Sequence, residues 1–516
     1  MDERNKDKDK AVDSGEVSFW CSSRFGLAVI GFLGFINLFA LRVNMSVALV
    51  CMVNHTSSLD VNVTAGQLNA TEVTQCRFTS SSKDDKAGEF NWDKVTQGLI
   101  LGSFYWGCIV TQLPGGLLAS RFGGKRVFGW CMFGCALANL LTPVGARTHV
   151  VFLMVLRVIG GLGQGVVWPA MHTLWASWAP PLERSKLAGF TYAGSQVGNI
   201  LTFPLAGLLC EYGFDGGWAS IFYITGATCV VWFLAWMLLA FDTPAEHPRI
   251  SVEERDYIEN SLKGQMEADT MKKMSIPWFA FFKSPPVWAI VVAHTCGNWG
   301  TYTFLSNTPT YMREVLKFDI KANGVFSSLP FVGFAILINA TGFLADFLRS
   351  RALVSTTMCR KIFNSLGMLV PAALVLVLGY IDCSTPYTAV ALLTIGVAFT
   401  GCTVGSGFVV NHVDIAPKYA GILFGISNTA ATIPGFLAPY VIGVLTNENE
   451  SEGQWRIVFY IAAGIYTFGA LFYIIFGSGD IQSWAMEDIT TPHNDAEEDH
   501  LWIQEPIHNK TDSSQL

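Results

Sequence analysis

Apolar stretches of about 20 residues, the length that crosses a hydrocarbon core, recur along most of this chain. Twelve can be counted, near 25–53, 95–119, 127–146, 150–172, 187–210, 218–241, 287–310, 325–347, 361–381, 387–412, 418–444 and 455–477. The pattern predicts an all-α membrane protein with about 12 transmembrane helices. One long charged segment, "DTPAEHPRISVEERDYIENSLKGQMEADTMKK", interrupts it after the sixth span. The expected organisation is a tail over 1–24, a six-helix bundle over 25–241 with a polar loop at 54–94, a central loop over 242–286, a second six-helix bundle over 287–478, and a tail over 479–516.

The two groups of spans echo each other. Gly116-Leu-Leu-Ala-Ser120-Arg121 follows the second span and Gly342-Phe-Leu-Ala-Asp346-Phe347 the eighth, with basic residues close behind each. Parallel repeats of this kind are the architecture of major-facilitator transporters, in which two six-helix bundles rock around a central site.

Charge sets the orientation. Lysine and arginine concentrate in alternate loops ("SRFGGKR", "LERSK", the central segment, "FLRSRALVSTTMCRK"), which the positive-inside rule makes cytosolic together with both termini. Glycosylation sequons at Asn54, Asn62 and Asn69 between the first two spans, and at Asn449 before the last, fall on the opposite side. The charged first 20 residues do not read as a signal peptide, so the first span serves as the targeting signal. Net charge is −7, with an acidic run near the C-terminus, and nothing suggests a nucleic-acid partner. The 12 cysteines show no metal-ligand spacing, so no metal is expected. Cys76, Cys210 and Cys383 lie in or beside loops on the sequon side, where oxidation can occur. The final Ser514-Gln515-Leu516 fits a carboxylate-terminated ligand for PDZ domains.

Ionisable side chains well inside the spans are Arg42, Arg157, His172, His294 and His412, and none is acidic. A mid-helix arginine costs about 2.5 to 3.5 kcal/mol on insertion scales and usually faces a polar pathway. Two arginines without buried carboxylates leave a positive cavity for an external anion, and guanidinium matches carboxylate or phosphate in a planar fork. In "LRVIGGLGQGVVWPAMH" (156–172), Gly160, Gln164 and Trp168 share the face of Arg157, and Pro169 can bend the helix beside His172. Tyr192, Ser195, Gln196 and Asn199 form a polar stripe in the fifth span; His294, Asn298, Tyr302 and Ser306 form one in the seventh. Arg42, Arg157, Gln164, Tyr192, Asn298 and Tyr302 are the candidate substrate-binding residues. The three histidines are candidates for coupling or gating, because imidazole titrates near neutral pH. The spans hold no convincing nucleophile and base, so neither an enzyme nor a receptor accounts for this pattern as well as a transporter does.

"ALRVNMSVALV", "WASWAPPLERSK" and "NHVDIAPKYAGILFGISNTAATIPG" resemble the anion-transporting major-facilitator family that contains sialin, the vesicular glutamate transporters and the type I sodium/phosphate cotransporters, over about residues 20 to 485. "WPAMHTLW" and "FSSLPF" are similar to the sialin branch. The resemblance implies that Arg42 and Arg157 engage a substrate carboxylate or gate it, and that His172 takes part in coupling. It also marks departures. Where the sialin branch carries two glutamates implicated in proton coupling, this chain has Gly160 and Gln164, and Gly297 stands about where glutamate transporters carry a third arginine. The expectation is alternating-access transport of small organic anions, sialic acid or acidic amino acids, coupled to protons or voltage. Sodium-dependent uptake of phosphate or another organic anion is the alternative. A lysosomal or synaptic-vesicle-type membrane, or the plasma membrane, would house it. No bound cofactor is implied beyond the coupling ion, H+ or Na+.

Overall fold

The computed structural model describes residues 19–20, 22–54, 88–270, 276–447 and 451–486. The first six long helices are α1 (Ser23–Met52), α2 (Lys94–Phe122), α3 (Gly124–Thr148), α4 (Val150–Trp178), α5 (Arg184–Tyr212) and α6 (Trp218–Leu239). Two further helices, α7 (Val252–Thr270) and α8 (Trp278–Lys283), occupy the charged central segment. The second set is α9 (Pro285–Glu314), α10 (Ile320–Ser350), α11 (Thr356–Leu378), α12 (Pro386–Gly405), α13 (Phe408–Ile415), α14 (Ala420–Thr446) and α15 (Glu452–Phe476). The end of the bundle that carries α7 is called the basic end below, and the end of the α1–α2 connection the sequon end.

Local sequence starts these helices where they start. Ser22, Asp93, Asp319 and Ser355 each accept a hydrogen bond from a first-turn amide, and α9 and α12 open on proline, which has no amide to satisfy there. Two predicted boundaries need correction. The tenth span is not one helix, because the chain breaks at Ser406 and Gly407, and α13 sets off separately. The N-terminal tail ends before 24: Arg24 lies inside α1 and is buried, held by Glu183 and by Glu254 of α7. That contact also explains why part of the central segment is ordered against the first half.

Among the described residues, nine spans pass on length and apolarity alone, whereas α2, α5 and α9 fall short. Those three carry polar or small residues toward the middle of the molecule, a position that lipid-facing helices could not tolerate. Within the first half, α2 packs on α4, α1 on α5, and α3 on both α4 and α6; within the second, α12 packs on α10 and α11, and α9 on α14 and α15. The halves meet along α2–α14 and α5–α10, with α1 against α9.

These inter-half contacts gather at the sequon end. A side-chain carbon at Gly98 would lie 2.4 Å from the Pro439 carbonyl oxygen, and one at Gly443 would lie 2.5 Å from the Lys94 carbonyl oxygen. Phe203 stacks on Phe331, and the core cluster at this end includes Leu305 and Phe331 from the second half. The cluster around Trp175 and Trp236 at the basic end draws only on the first half and α7, and the large cluster of the second half draws on that half alone. The molecule is therefore closed at the sequon end.

Cys51 and Cys210 are disulfide-bonded, tying the sequon ends of α1 and α5. Cys210 was among the cysteines placed on this side by sequence; its partner Cys51 was not, because it sits at the end of an apolar run. Cys383 is also disulfide-bonded. Cys76 lies outside the described residues. So do sequons Asn62, Asn69 and Asn449 and the C-terminal tripeptide, while Asn54 is half-buried where α1 ends.

Candidate functional site

A polar cleft between the halves is lined by Arg42, Val43 and Ser46 of α1, Leu101 and Tyr105 of α2, Arg157 of α4, and Leu305 and Ser306 of α9. The two arginines reach it because α2 and α4 touch backbone to backbone at this level. A side-chain carbon at Gly161 would lie 1.9 Å from the Phe104 carbonyl oxygen, and one at Gly107 would lie 2.1 Å from that of Val158. Any larger residue at either place would push the helices apart and move Arg157 off the cleft.

Both guanidinium groups lie over the ring of Phe104, Arg42 at 5.2 Å and Arg157 at 5.0 Å. The negative face of an aromatic ring offsets part of the charge. Gln164 supplies another part: its Oε1 accepts from Arg42 Nε at 3.3 Å, and its Nε2 donates to the Leu38 carbonyl at 3.1 Å. Arg157 has less. It is 7 % exposed, forms no ion pair among the described residues, and its buried Nε has no hydrogen-bond partner. A buried cation left in this condition is costly, by several kcal/mol, unless a counter-charge arrives.

Tyr302 faces the arginine side across the inter-half boundary, with its ring 4.6 Å from that of Tyr105. Asn298, one turn nearer the basic end, donates to the Ala431 carbonyl at 3.0 Å. Tyr192 stands apart from the arginines: it packs on Phe35 and Trp168, and its hydroxyl lies 3.0 Å from His172 Nδ1. His294 and His412 lie in the second half, each within hydrogen-bond distance of Ser427. The structure thus brings Arg42, Arg157, Gln164 and Tyr302 together, and leaves Tyr192, His172, His294 and His412 around them.

Three sequence readings change here. Gln164 is 1 % exposed with both ends of its amide engaged, so it orients Arg42 and does not offer a free group to substrate. Phe104 and Tyr105 were missed, since aromatic residues in an apolar span give no signal of lining a site. An acid is buried in a span after all: α9 continues past the apolar stretch to Glu314, which pairs with Lys94 of α2. Among the described residues no cluster of His, Cys, Asp or Glu could hold a metal ion.

Residues 27–439 match the Major Facilitator Superfamily. The chain belongs to it. This facilitator is 46% identical to human sialin over 91% of its own length and 92% of that protein, and 41% identical to human vesicular glutamate transporter 2 over 92% of its own length and 77% of the other. It is a membrane transporter related to these two groups, and not an enzyme. Among solved structures, a bacterial homolog of the human lysosomal transporter Spinster, inward-facing and occupied, superposes with TM-score 0.64 at 13% identity, covering 87% of this chain and 96% of that one. The xylose transporter XylE from E. coli, inward open, gives 0.64 at 14%, covering 90% and 99%. At such identities the likeness concerns the facilitator fold alone.

Proposed function

We propose that this facilitator moves a small organic anion, a carboxylate such as sialic acid or an acidic amino acid, by alternating access. The observation that carries the reading is the unpaired, buried guanidinium of Arg157 beside Arg42 in a cleft between the halves. An incoming carboxylate supplies the missing charge and accepts the free N–H groups, while Ser46, Ser306 and the two tyrosines offer polar contacts around it. Because contributions come from α1, α2, α4 and α9, substrate draws both halves onto itself. The names of the related proteins, sialin and vesicular glutamate transporters, agree with a carboxylate cargo.

In this reading the basic end faces the cytosol and the sequon end faces a lumen or the exterior, with Asn54, Asn62, Asn69 and Asn449 open to glycosylation. An organelle membrane of the lysosomal or synaptic-vesicle type is the proposed location. Coupling is to protons or voltage, with His172, His294 and His412 as the coupling or gating groups. Gly160 and Gln164 cannot titrate. Gly160 has no atom within 4 Å of where a side chain would begin, so the space for one is open.

The test is uptake by purified protein in liposomes, using radiolabelled sialic acid, glutamate, aspartate and phosphate with proton, sodium and voltage gradients imposed separately. Uptake of a carboxylate that disappears in Arg157→Ala, with the protein still folded, is the expected result. Normal uptake by that variant removes Arg157 as the binder, and sodium-driven uptake of phosphate alone replaces the carboxylate reading.

A further inference from the structure

The two most deeply buried carboxylates of the second half's helices are already committed to cations. Glu314 pairs with Lys94 at the sequon end and Asp414 with Arg360 at the basic end. With Gly160 and Gln164 in the fourth span, a proton that travels with the anion must bind elsewhere. The two buried histidines of the second half share a hydroxyl. His294 Nδ1 of α9 lies 3.1 Å from Ser427 Oγ of α14, and His412 Nε2 of α13 lies 2.8 Å from the same oxygen. His412 Nδ1 lies 2.9 Å from the Val409 carbonyl oxygen, which can only accept, so this nitrogen carries a proton in every state.

We propose that His294, Ser427 and His412 form one proton-binding site, through which a proton gradient drives the anion held in the cleft between the halves. This rests on the anion-transport reading above. The hydrogen-bond geometry serves two protonation states. In the neutral state His294 Nδ1–H donates to Ser427 Oγ, the Ser427 hydroxyl donates to His412 Nε2, and His412 Nδ1–H donates to Val409. A proton arriving at His294 Nε2 makes an imidazolium. The Nδ1 proton of His294 then passes to Ser427 Oγ as the hydroxyl proton passes to His412 Nε2, leaving the charge on His412. His412 Nε2–H now donates to Ser427, whose hydroxyl turns to the bare His294 Nδ1 or to the Phe424 carbonyl, 3.1 Å away. Along the chain from His294 Nδ1 through Ser427 to the Val409 carbonyl every donor keeps a partner in either state, and the arriving proton occupies the outer nitrogen of His294. A pair serving only to pack helices would need partners for one.

The surroundings keep that proton mobile. Phe408 and Phe424 flank the rings, with centroids 4.9 and 5.9 Å from His294, and Phe424 is 5.4 Å from His412. Met368 of α11 lies beside neighbouring Gly297, and Asn411 donates to Tyr473 of α15. From α13 the charged side chain nearest in sequence is Asp414, bound by Arg360, with Arg349 4.0 Å away. Among the described residues no carboxylate pairs with either histidine, so none locks the pair in its charged form. His294 stands on the α9 face of Asn298, Tyr302 and Ser306, about 18 Å along the helix from Ser306. The proton site thus lies within the second half and the anion site in the cleft between the halves, with α9 common to both.

The experiment compares two assays in liposomes, anion counterflow without a gradient and accumulation driven by a pH gradient. Wild type should show both. Ser427→Ala and His412→Gln should keep counterflow within about twofold while losing the pH-driven component, and Ser427→Thr, which keeps the hydroxyl, should retain it. Full pH-driven accumulation in Ser427→Ala and His412→Gln overturns the proposal. So does wild-type counterflow that never responds to pH, whereas absence of wild-type counterflow with every anion overturns the transport reading itself. If the variants do not fold, 15N-histidine spectra of the wild type decide: two imidazoles sharing one coupled titration support the site, and independent titrations or none over the folded pH range sink it.

Discussion

Lys94 of α2 and Glu314 of α9 form an ion pair that crosses from one half to the other at the sequon end, with both side chains buried. Asn447, which caps the C-terminus of α14, accepts from the Lys94 backbone amide at 3.1 Å, adding a second strap to the same helix start. Both contacts must part for the sequon end to open, so the pair stabilises one of the two transport states. Glu314→Gln takes a carboxylate away from the buried ammonium of Lys94 and so destabilises this state relative to the other. The population should move away from closure at the sequon end. Maleimide labelling of Leu113→Cys, which lies against Gly425 in the seam between halves, should slow in the Glu314→Gln background, and Lys94→Met added to it should restore the rate. Labelling unchanged by Glu314→Gln would show that the pair does not set the state.

Gln164 holds Arg42 with a neutral oxygen. Gln164→Glu would place a carboxylate there and cancel part of the positive charge that anions seek. At neutral pH the Michaelis constant for the anion should rise about tenfold or more, and acidification should reverse this as the new carboxyl takes a proton. Transport would gain dependence on proton concentration. A pH profile identical to wild type would refute this account of Gln164.

Phe104 serves both arginines at once. Each cation–π contact is worth about 0.5–2 kcal/mol, or roughly 2- to 30-fold, so Phe104→Leu, which removes both, should raise the Michaelis constant for the anion at least about twofold, with folding intact. Arg42→Lys should be worse than a conservative change suggests, since an ammonium cannot lie flat on the ring and bond Gln164 together. Competitive uptake assays on the two variants check both statements.

At the sequon end Arg147 Nε donates to Glu89 at 2.8 Å and Nη1 to Asp215 at 2.9 Å, while Trp218 also donates to Glu89 and Tyr223 to Asp215. The hydrogen bonds from Arg147 hold both carboxyls below their ordinary values of 4.5 and 3.8. A depressed folded pKa contributes stability that is complete above the unfolded value and lost as pH falls through the folded one. The cluster therefore stays intact at mildly acidic pH. These groups are partly exposed, so each bond is worth no more than about 1 kcal/mol. The melting-temperature deficit of Arg147→Met should be equal at pH 7 and 5 and shrink only below about pH 4; a deficit that vanishes between 7 and 5 would contradict the assignment.

Much of the fold was legible because a membrane imposes a length and an apolarity on every crossing segment. The break between α12 and α13 was hidden, since Ser406 and Gly407 leave the helical backbone conformation without interrupting hydropathy. Glu314 escaped notice for the opposite reason: it lies beyond the apolar window of its helix, and its partner is 220 residues away in sequence. Arg157 was readable as a cation without a partner in its own segment, because no acid stood near it in the chain, and among the described residues the fold brings it no ion pair.

Composition and periodicity alone determined that this protein spans a membrane in two similar sets of helices and keeps two arginines in its interior. Those are properties of single segments in a solvent that punishes every exposed charge. Tertiary structure decided what no segment carries: that Gln164 faces Arg42, that Phe104 lies under both guanidiniums, that one serine joins two histidines, and that Lys94 finds Glu314. Each depends on the approach of helices distant in sequence, set by glycine contacts and helix breaks that hydropathy does not register.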